Sequence, residues 1–165
     1  MTQQNIRISI PQQTLELFES DQLVRCYEVS TASNGVGEVN GSECTPRGRH
    51  IIRAKIGAGA QPNTVFRGRR PTGEIFNETL RQEFPERDWI LTRILWLSGK
   101  EPGLNRLGSV DTMRRYIYIH GCPDADIMGA PSSHGCIKMR NTDVIELFDC
   151  VDVGTLVEIV DELHT

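Results

Sequence analysis

Residues 6–31 alternate. Ile6, Ile8 and Ile10 are separated by polar residues, Pro11 ends the run, and Leu15 and Leu17 resume it. After a turn near Ser20-Asp21 the pattern passes through Val24 and Cys26 into Tyr27-Glu28-Val29-Ser30-Thr31. A period of two puts every second side chain on one face, so this stretch lays down strands rather than a helix. Short alternating runs separated by turns predict a hairpin or meander. The chain is committed early to a sheet.

The rest follows suit. Residues 33–50 are rich in glycine and turn residues, and His50-Ile51-Ile52-Arg53-Ala54-Lys55-Ile56 reads as another strand. Residues 57–88 are polar, punctuated by glycine and proline, and read as a long surface excursion, which in a compact domain is often functional. Trp89 to Leu97 is apolar enough for one or two buried strands. Tyr116-Ile117-Tyr118-Ile119-His120 is the clearest strand: Ile117 and Ile119 share the core face, while Tyr116, Tyr118 and His120 share the other. Ile137-Lys138-Met139 is a short strand or turn. Asn141 or Thr142 is expected to cap a helix whose stripe is Val144, Leu147, Phe148 and Val151, with Gly154 as its stop. Leu156 to Val160 reads as a closing strand. The expectation is one mostly β domain over residues 1–165, with one short helix near the C-terminus.

Charge and cysteine usage bound the function. The formal net charge is −4, which argues against an electrostatic nucleic-acid binder. No stretch approaches the roughly 18 apolar residues of a membrane span. The start, Met1 to Asn5, lacks the basic and apolar regions of an export leader, so a cytoplasmic protein is expected. Five cysteines, an odd count, fit free thiols in a reducing compartment. Cys26 and Cys150 sit in apolar patterns and read as core thiols. Arg47, Arg49, Arg53, Arg67, Arg69 and Arg70 gather in one region; they form either a solvated face or a patch that attracts an anionic substrate.

The chemistry gathers in His120-Gly121 and Ser133-His134-Gly135-Cys136. A thiol beside an imidazole can become a thiolate, a strong nucleophile toward carbonyl carbon. Gly135 permits a tight turn in which peptide N–H groups converge as an oxyanion hole. His120, sixteen positions before Cys136, stands at a strand end. His134 is nearer in sequence, but its direction is open. Two other readings stand beside the nucleophile. His120-Gly121-Cys122 and His134-Gly135-Cys136 are matching His-x-Cys pairs that together offer four zinc ligands, although one intervening residue makes a strained chelate. Cys136 also fits an ordinary core thiol.

This pattern resembles the signature of the YkuD-type L,D-transpeptidase catalytic domain: an HG dipeptide, a loop, then S/T-H/K-G-C followed by an apolar residue. Thr45-Pro46-Arg47-Gly48 is similar to a Thr-Pro-x-Gly element of that family, and Gly154-Thr155 to its ending. The resemblance implies a β-sandwich-like fold and a cysteine acyl-transfer site without cofactor or metal. Cys136 is then the nucleophile and His120 its base, oriented by the carbonyl of Gly121. Gly135 and Cys136 supply oxyanion N–H groups, and Ser133 and His134 shape the site. The implied substrate is a peptidoglycan stem tetrapeptide, free or as a muropeptide, attacked at the carbonyl of its third residue.

Two departures from the family pattern matter. Lys138 stands where arginine is usual, and lysine lacks the planar fork for bidentate carboxylate binding. The start also shows no export signal, whereas most such transpeptidases are exported. The expected activity is therefore L,D-carboxypeptidase trimming of tetrapeptides in cytoplasmic muropeptide recycling. A cross-linking or D-amino-acid-exchanging L,D-transpeptidase is the alternative, and a zinc-stabilised domain that binds wall fragments a further one. Lys138, Arg140 and Tyr118 are the candidates for substrate contact; Tyr118 lines the pocket or packs beneath it, and packing is the preferred reading.

Overall fold

The computed structural model describes residues 3–162; the Met1-Thr2 part of the start read for export lies outside them. The alternating opening forms a meander of β1 (Gln4–Ser9), β2 (Thr14–Glu19) and β3 (Gln22–Ser30). β1 pairs antiparallel with β2 and β2 with β3. Ser20 and Asp21, at φ 48° and 67°, make the tight turn between β2 and β3, the left-handed backbone that matches strand twist in a hairpin.

Seven further strands complete the sheet: β4 (Gly48–Ile56), β5 (Thr64–Arg67), β6 (Arg70–Ile75), β7 (Ile90–Gly99), β8 (Tyr118–Gly121), β9 (Ile137–Met139) and β10 (Leu156–Val160). Their order is β4-β10-β1-β2-β3-β9-β8-β7-β5-β6, with an additional β4–β7 pairing. That pairing closes eight strands into a ring, and β5–β6 branch from β7 as a hairpin. The opposed walls of the ring pack face to face, as expected of a sandwich, and closure leaves those eight strands with neighbours on both sides. Inside lie Ile6, Ile8, Leu15, Leu17, Val29, Ile52, Leu95, Leu97, Ile119, Ile137, Val157 and Ile159.

Helix α2 (Asn141–Cys150) presses Val144, Leu147 and Phe148 into this core, the stripe read from the sequence. Its cap differs from expectation. Arg140 holds the N-cap position with no side-chain cap bond, because the Asn141 side chain is used in a buried network described below.

Three other expectations change. The 57–88 excursion contains the β5–β6 hairpin and a second helix, α1 (Glu78–Glu83), capped by Asn77 Oδ1 accepting from the Leu80 N–H at 2.8 Å. Its Val65 and Phe76 pack with Trp89 and Leu91 in a satellite core, so the glycines and prolines mark turns within a folded piece. Trp89 to Leu97 gives one strand, as the first of its two readings had it, beginning at Ile90. Tyr116 lies outside β8, at φ 57°. Cys26 is exposed: on β3 the inward positions belong to Tyr27 and Val29, so Cys26, one residue before Tyr27, points out. Cys150 packs against the core as read.

Candidate active site

β8 and β9 run parallel, with Ile119 opposite Ile137, His120 opposite Lys138 and Gly121 opposite Met139. Cys136 therefore lies abreast of Tyr118, and His120 stands two residues further along the same face. That offset is about 6–7 Å of strand. The sequence placed the thiol beside the imidazole; the register places them diagonally. Among the described residues no hydrogen bond joins them.

The His120 ring is fully buried, and its Nδ1 lies 2.6 Å from the carbonyl oxygen of Gly121. A carbonyl only accepts, so Nδ1 carries the proton and Nε2 keeps its lone pair. Burial pushes the imidazole below its ordinary value, against the pull of Asp88 and of the Gly121 carbonyl. The resting ring is neutral.

Gly121 is fixed by what surrounds it. A Cβ there would meet Asn141 Oδ1 and, at 2.6 Å, the carbonyl oxygen of Leu91. Asn141 Oδ1 accepts from Thr92 Oγ1 at 2.6 Å, and its Nδ2 donates to Asn63 Oδ1 at 3.0 Å and Asp124 Oδ1 at 3.1 Å. Thr92 lies at φ 76° where the β7–β8 register shifts. This network, invisible in the sequence, seats the strand end that carries His120.

Cys136 is half-buried. Its Sγ accepts from the Tyr118 N–H at 3.3 Å and donates to the Tyr116 carbonyl at 3.5 Å. Burial pushes the thiol up to about 12; the Tyr118 N–H and the Arg115 cation pull it down, and Asp88 adds to the rise. The resting pair is thus thiol and neutral imidazole. The preceding turn is built to be rigid. Gly135 lies at φ 131°, a region that favours glycine. Ser133 Oγ donates to the Cys136 carbonyl at 2.5 Å and accepts from the Gly135 N–H at 3.2 Å. Thr45 Oγ1 donates to the Gly135 carbonyl at 2.9 Å and accepts from the Ala32 N–H at 3.0 Å, so the Thr-Pro element braces the cysteine turn. The Gly135 N–H, expected as an oxyanion donor, is already engaged by Ser133.

Cys136 lines a cleft of about 480 Å3 with Arg69, Asp88, Arg115, Tyr116, Tyr118 and His134. Arg115 donates to the carbonyls of Gly37 at 3.2 Å and Cys44 at 2.6 Å, and to Ser42 Oγ at 3.3 Å. Tyr118 both packs and lines: its ring meets Trp96 edge-on, and its hydroxyl accepts from Arg69 Nη1 at 3.0 Å. On the other side of His134 and Asp88 lies a second recess of about 200 Å3 containing Ser133, Asp126 and Lys138. Lys138 Nζ pairs with Asp126 at 2.8 Å and donates to Ser132 Oγ at 3.2 Å, while Arg81 holds the other Asp126 oxygen at 2.8 Å. Arg140 is exposed at the α2 N-cap, 3.4 Å from Glu28, and lines neither recess.

Arg69, Asp88 and Arg115 were missed as cleft residues. Arg69 had a weak signal in the arginine grouping; the other two had none, since Arg115 precedes β8 and Asp88 precedes β7. The two His-x-Cys pairs do not converge. Cys122 Sγ donates to the Met139 carbonyl at 3.3 Å, away from Cys136, and among the described residues no group of three or more His, Cys, Asp or Glu side chains is placed to share an ion.

Comparison with known proteins identifies the family. Residues 3–159 match the sequence model of the YkuD family, the L,D-transpeptidase catalytic domain. A putative L,D-transpeptidase, YkuD, of Bacillus licheniformis is 29% identical over 154 residues, covering 93% of this chain and 64% of that protein. The probable L,D-transpeptidase ErfK/SrfK of Escherichia coli is 46% identical over 48 residues, 29% of this chain and 16% of that one. The chain thus spans less than two thirds of these relatives. Solved structures of L,D-transpeptidases from Mycobacterium tuberculosis and Mycobacterium smegmatis superpose with TM-scores of 0.59 and 0.56 at 16% and 17% identity. They cover 97% and 96% of this chain, and 58% and 59% of their own. Matched along nearly its whole length, the chain belongs to the YkuD family of L,D-transpeptidase catalytic domains.

Proposed function

We propose that the protein is a cysteine acyl-transfer enzyme acting on peptidoglycan stem tetrapeptides, and that its main product arises by hydrolysis. The observation that carries this reading is the Cys136 thiol, held by the Tyr118 N–H at 3.3 Å in an open cleft, on the strand face that carries a neutral His120 with Nε2 unprotonated. Substrate binding brings Nε2 to the thiol, and the thiol proton moves to it. Sulfur attacks the carbonyl of the third residue, and a C–S bond forms. The tetrahedral oxyanion is met by the Cys136 N–H, since the Ser133 and Gly135 N–H groups of the same turn are engaged. The C–N bond then breaks, the leaving D-amino acid takes the proton from Nε2, and a thioester remains. Water gives a proton to Nε2 and attacks; the C–S bond breaks, and the thiol recovers the proton.

Hydrolysis is favoured by charge. An amine acceptor arrives as an ammonium ion, and Arg69 and Arg115 both line the cleft; water meets no such repulsion. The transpeptidase reading has its own support in the second recess, where Glu86 and Asp88 present carboxylates to an incoming ammonium. We place the activity in the cytoplasm, on turnover fragments. All five cysteines are free thiols, four of them, Cys26, Cys44, Cys136 and Cys150, at least partly exposed, which suits a reducing compartment.

Incubation with a free or disaccharide-linked tetrapeptide followed by mass spectrometry tests the reading. Loss of the terminal D-Ala, abolished in Cys136→Ala, is expected. Full activity of Cys136→Ala would sink it, and a cross-linked dimer or an exchanged D-amino acid with little hydrolysis would reverse the order of the two activities.

A further inference from the structure

Arg69 occupies the two-residue turn of the β5–β6 hairpin, at φ 64° beside Gly68 at φ 57°, and the turn lines the cleft that holds Cys136. Its guanidinium lies 4.6 Å from the Trp96 ring centroid and 4.9 Å from that of Tyr116. Nη1 donates to the Tyr118 hydroxyl at 3.0 Å. These contacts hold the planar fork in place and engage one of its donors; guanidinium carries five.

Charge pairing leaves this arginine available. Arg47 is paired with Glu38, Arg81 with Asp126 and Arg87 with Glu74. Arg115, the other cation of the cleft, spends its donors on Gly37, Ser42 and Cys44. Among the described residues no carboxylate pairs with Arg69. A stacked, oriented and unpaired guanidinium beside a nucleophile is a carboxylate receptor.

We infer that Arg69 binds the terminal carboxylate of the acyl donor and so selects peptides whose last residue is free. The inference rests on the acyl-transfer reading above. The placement supports it. Tyr118 touches Cys136 Sγ through its N–H at 3.3 Å and Arg69 through its hydroxyl at 3.0 Å, so one residue bridges thiol and guanidinium. When the third carbonyl of a tetrapeptide sits at the thiol, the terminal carboxylate lies one residue on, about 3.8 Å of chain. That carboxylate lies on the guanidinium side of the thiol when the chain runs along Tyr118, and a charge-assisted hydrogen bond adds about 2.8 Å of reach. Asp88, the carboxylate in the cleft, repels the same group and disfavours the reversed pose. Selecting the free end excludes longer peptides, whose attacked bond is not followed by a carboxylate.

The test compares a tetrapeptide with its C-terminal amide, in wild type and Arg69→Gln. Wild type is expected to favour the acid about 10- to 100-fold in kcat/KM, the range of a hydrogen bond to a charged group, mostly through KM. Arg69→Gln is expected to lose that factor on the acid and no more than two- to three-fold on the amide. Equal losses on both substrates overturn the inference. Tyr118→Phe removes the hydroxyl yet keeps the guanidinium; preference for the acid must persist, and its collapse would make Arg69 a support for Tyr118 instead. If Arg69→Gln fails to fold, Arg69→Lys is read the same way, with a several-fold drop in preference expected and no drop overturning the idea. If wild type processes neither peptide, the acyl-transfer reading fails separately, and alkylation decides. The rate ratio of iodoacetate to iodoacetamide at Cys136 must fall in the Arg69 variant; an unchanged ratio refutes anion binding there.

Discussion

At the residue scale, Cys136 departs from what its motif suggests in isolation. A thiol pushed up to about 12 by burial is not a standing thiolate at neutral pH, so its activation belongs to the encounter with substrate and His120. In the free protein, alkylation of Cys136 by iodoacetamide is expected to climb steadily from pH 7 to pH 10, without a plateau near neutrality. Asp88 raises this thiol and Arg115 lowers it. Asp88→Asn must therefore speed alkylation at fixed pH, and Arg115→Gln must slow it; peptide mapping separates Cys136 from the other four cysteines. A plateau below pH 7 would refute the neutral-pair description. The motif itself, His120-Gly121 and Ser133 to Cys136, was legible because its parts lie near one another in sequence. Asp88 and Arg115 were not, because each reaches the thiol only through strand pairings.

At the scale of elements, parallel β8 and β9 make one unit with the first turn of α2, and that unit carries the candidate site. The sequence showed both strands and the helix stripe. It misassigned Asn141 as a cap, since Asn ranks high at that position and nothing local reveals a partner on β7. The 57–88 segment was misread for a similar reason: composition shows turns, while Val65, Phe76 and Leu80 find their apolar partners only in Trp89 and Leu91. Gly121→Ala is the sharpest test of the unit. Its new methyl would press on the Leu91 carbonyl at 2.6 Å and on Asn141, so the end of β8 must shift. Activity is expected to fall at least 100-fold, with a destabilisation of about 1–3 kcal/mol from overpacking. Kinetics and a thermal melt measure the two. Wild-type activity in this variant would remove Gly121 from the positioning of His120.

Over the whole molecule, the pH range of the fold is set away from the cleft, at His50. This ring is buried on β4, with Nδ1 3.0 Å from the Gly48 carbonyl and Nε2 3.0 Å from Thr112 Oγ1. Burial lowers it from 6.5 to about 4. The unfolded chain takes up the proton first, so stability is intact above pH 6.5 and drains as pH falls toward 4, by on the order of 3 kcal/mol. The buried His120 titrates in the same direction. Denaturant melts between pH 7 and pH 4 should show this slope, and His50→Gln should flatten it. A slope unaffected by that change would place the titration elsewhere.

The ring also dictates a folding order. β1 takes its parallel partner from β10, joining Asn5 to Leu156, and β4 needs the same strand on its other side. The wall of the barrel is complete only when the last strand arrives. Pairings so distant in sequence carry a large loop-closure cost and make assembly slow. While the chain is being synthesised, β1 and β4 wait with open hydrogen-bonding edges, and that interval is when the protein is most exposed to aggregation.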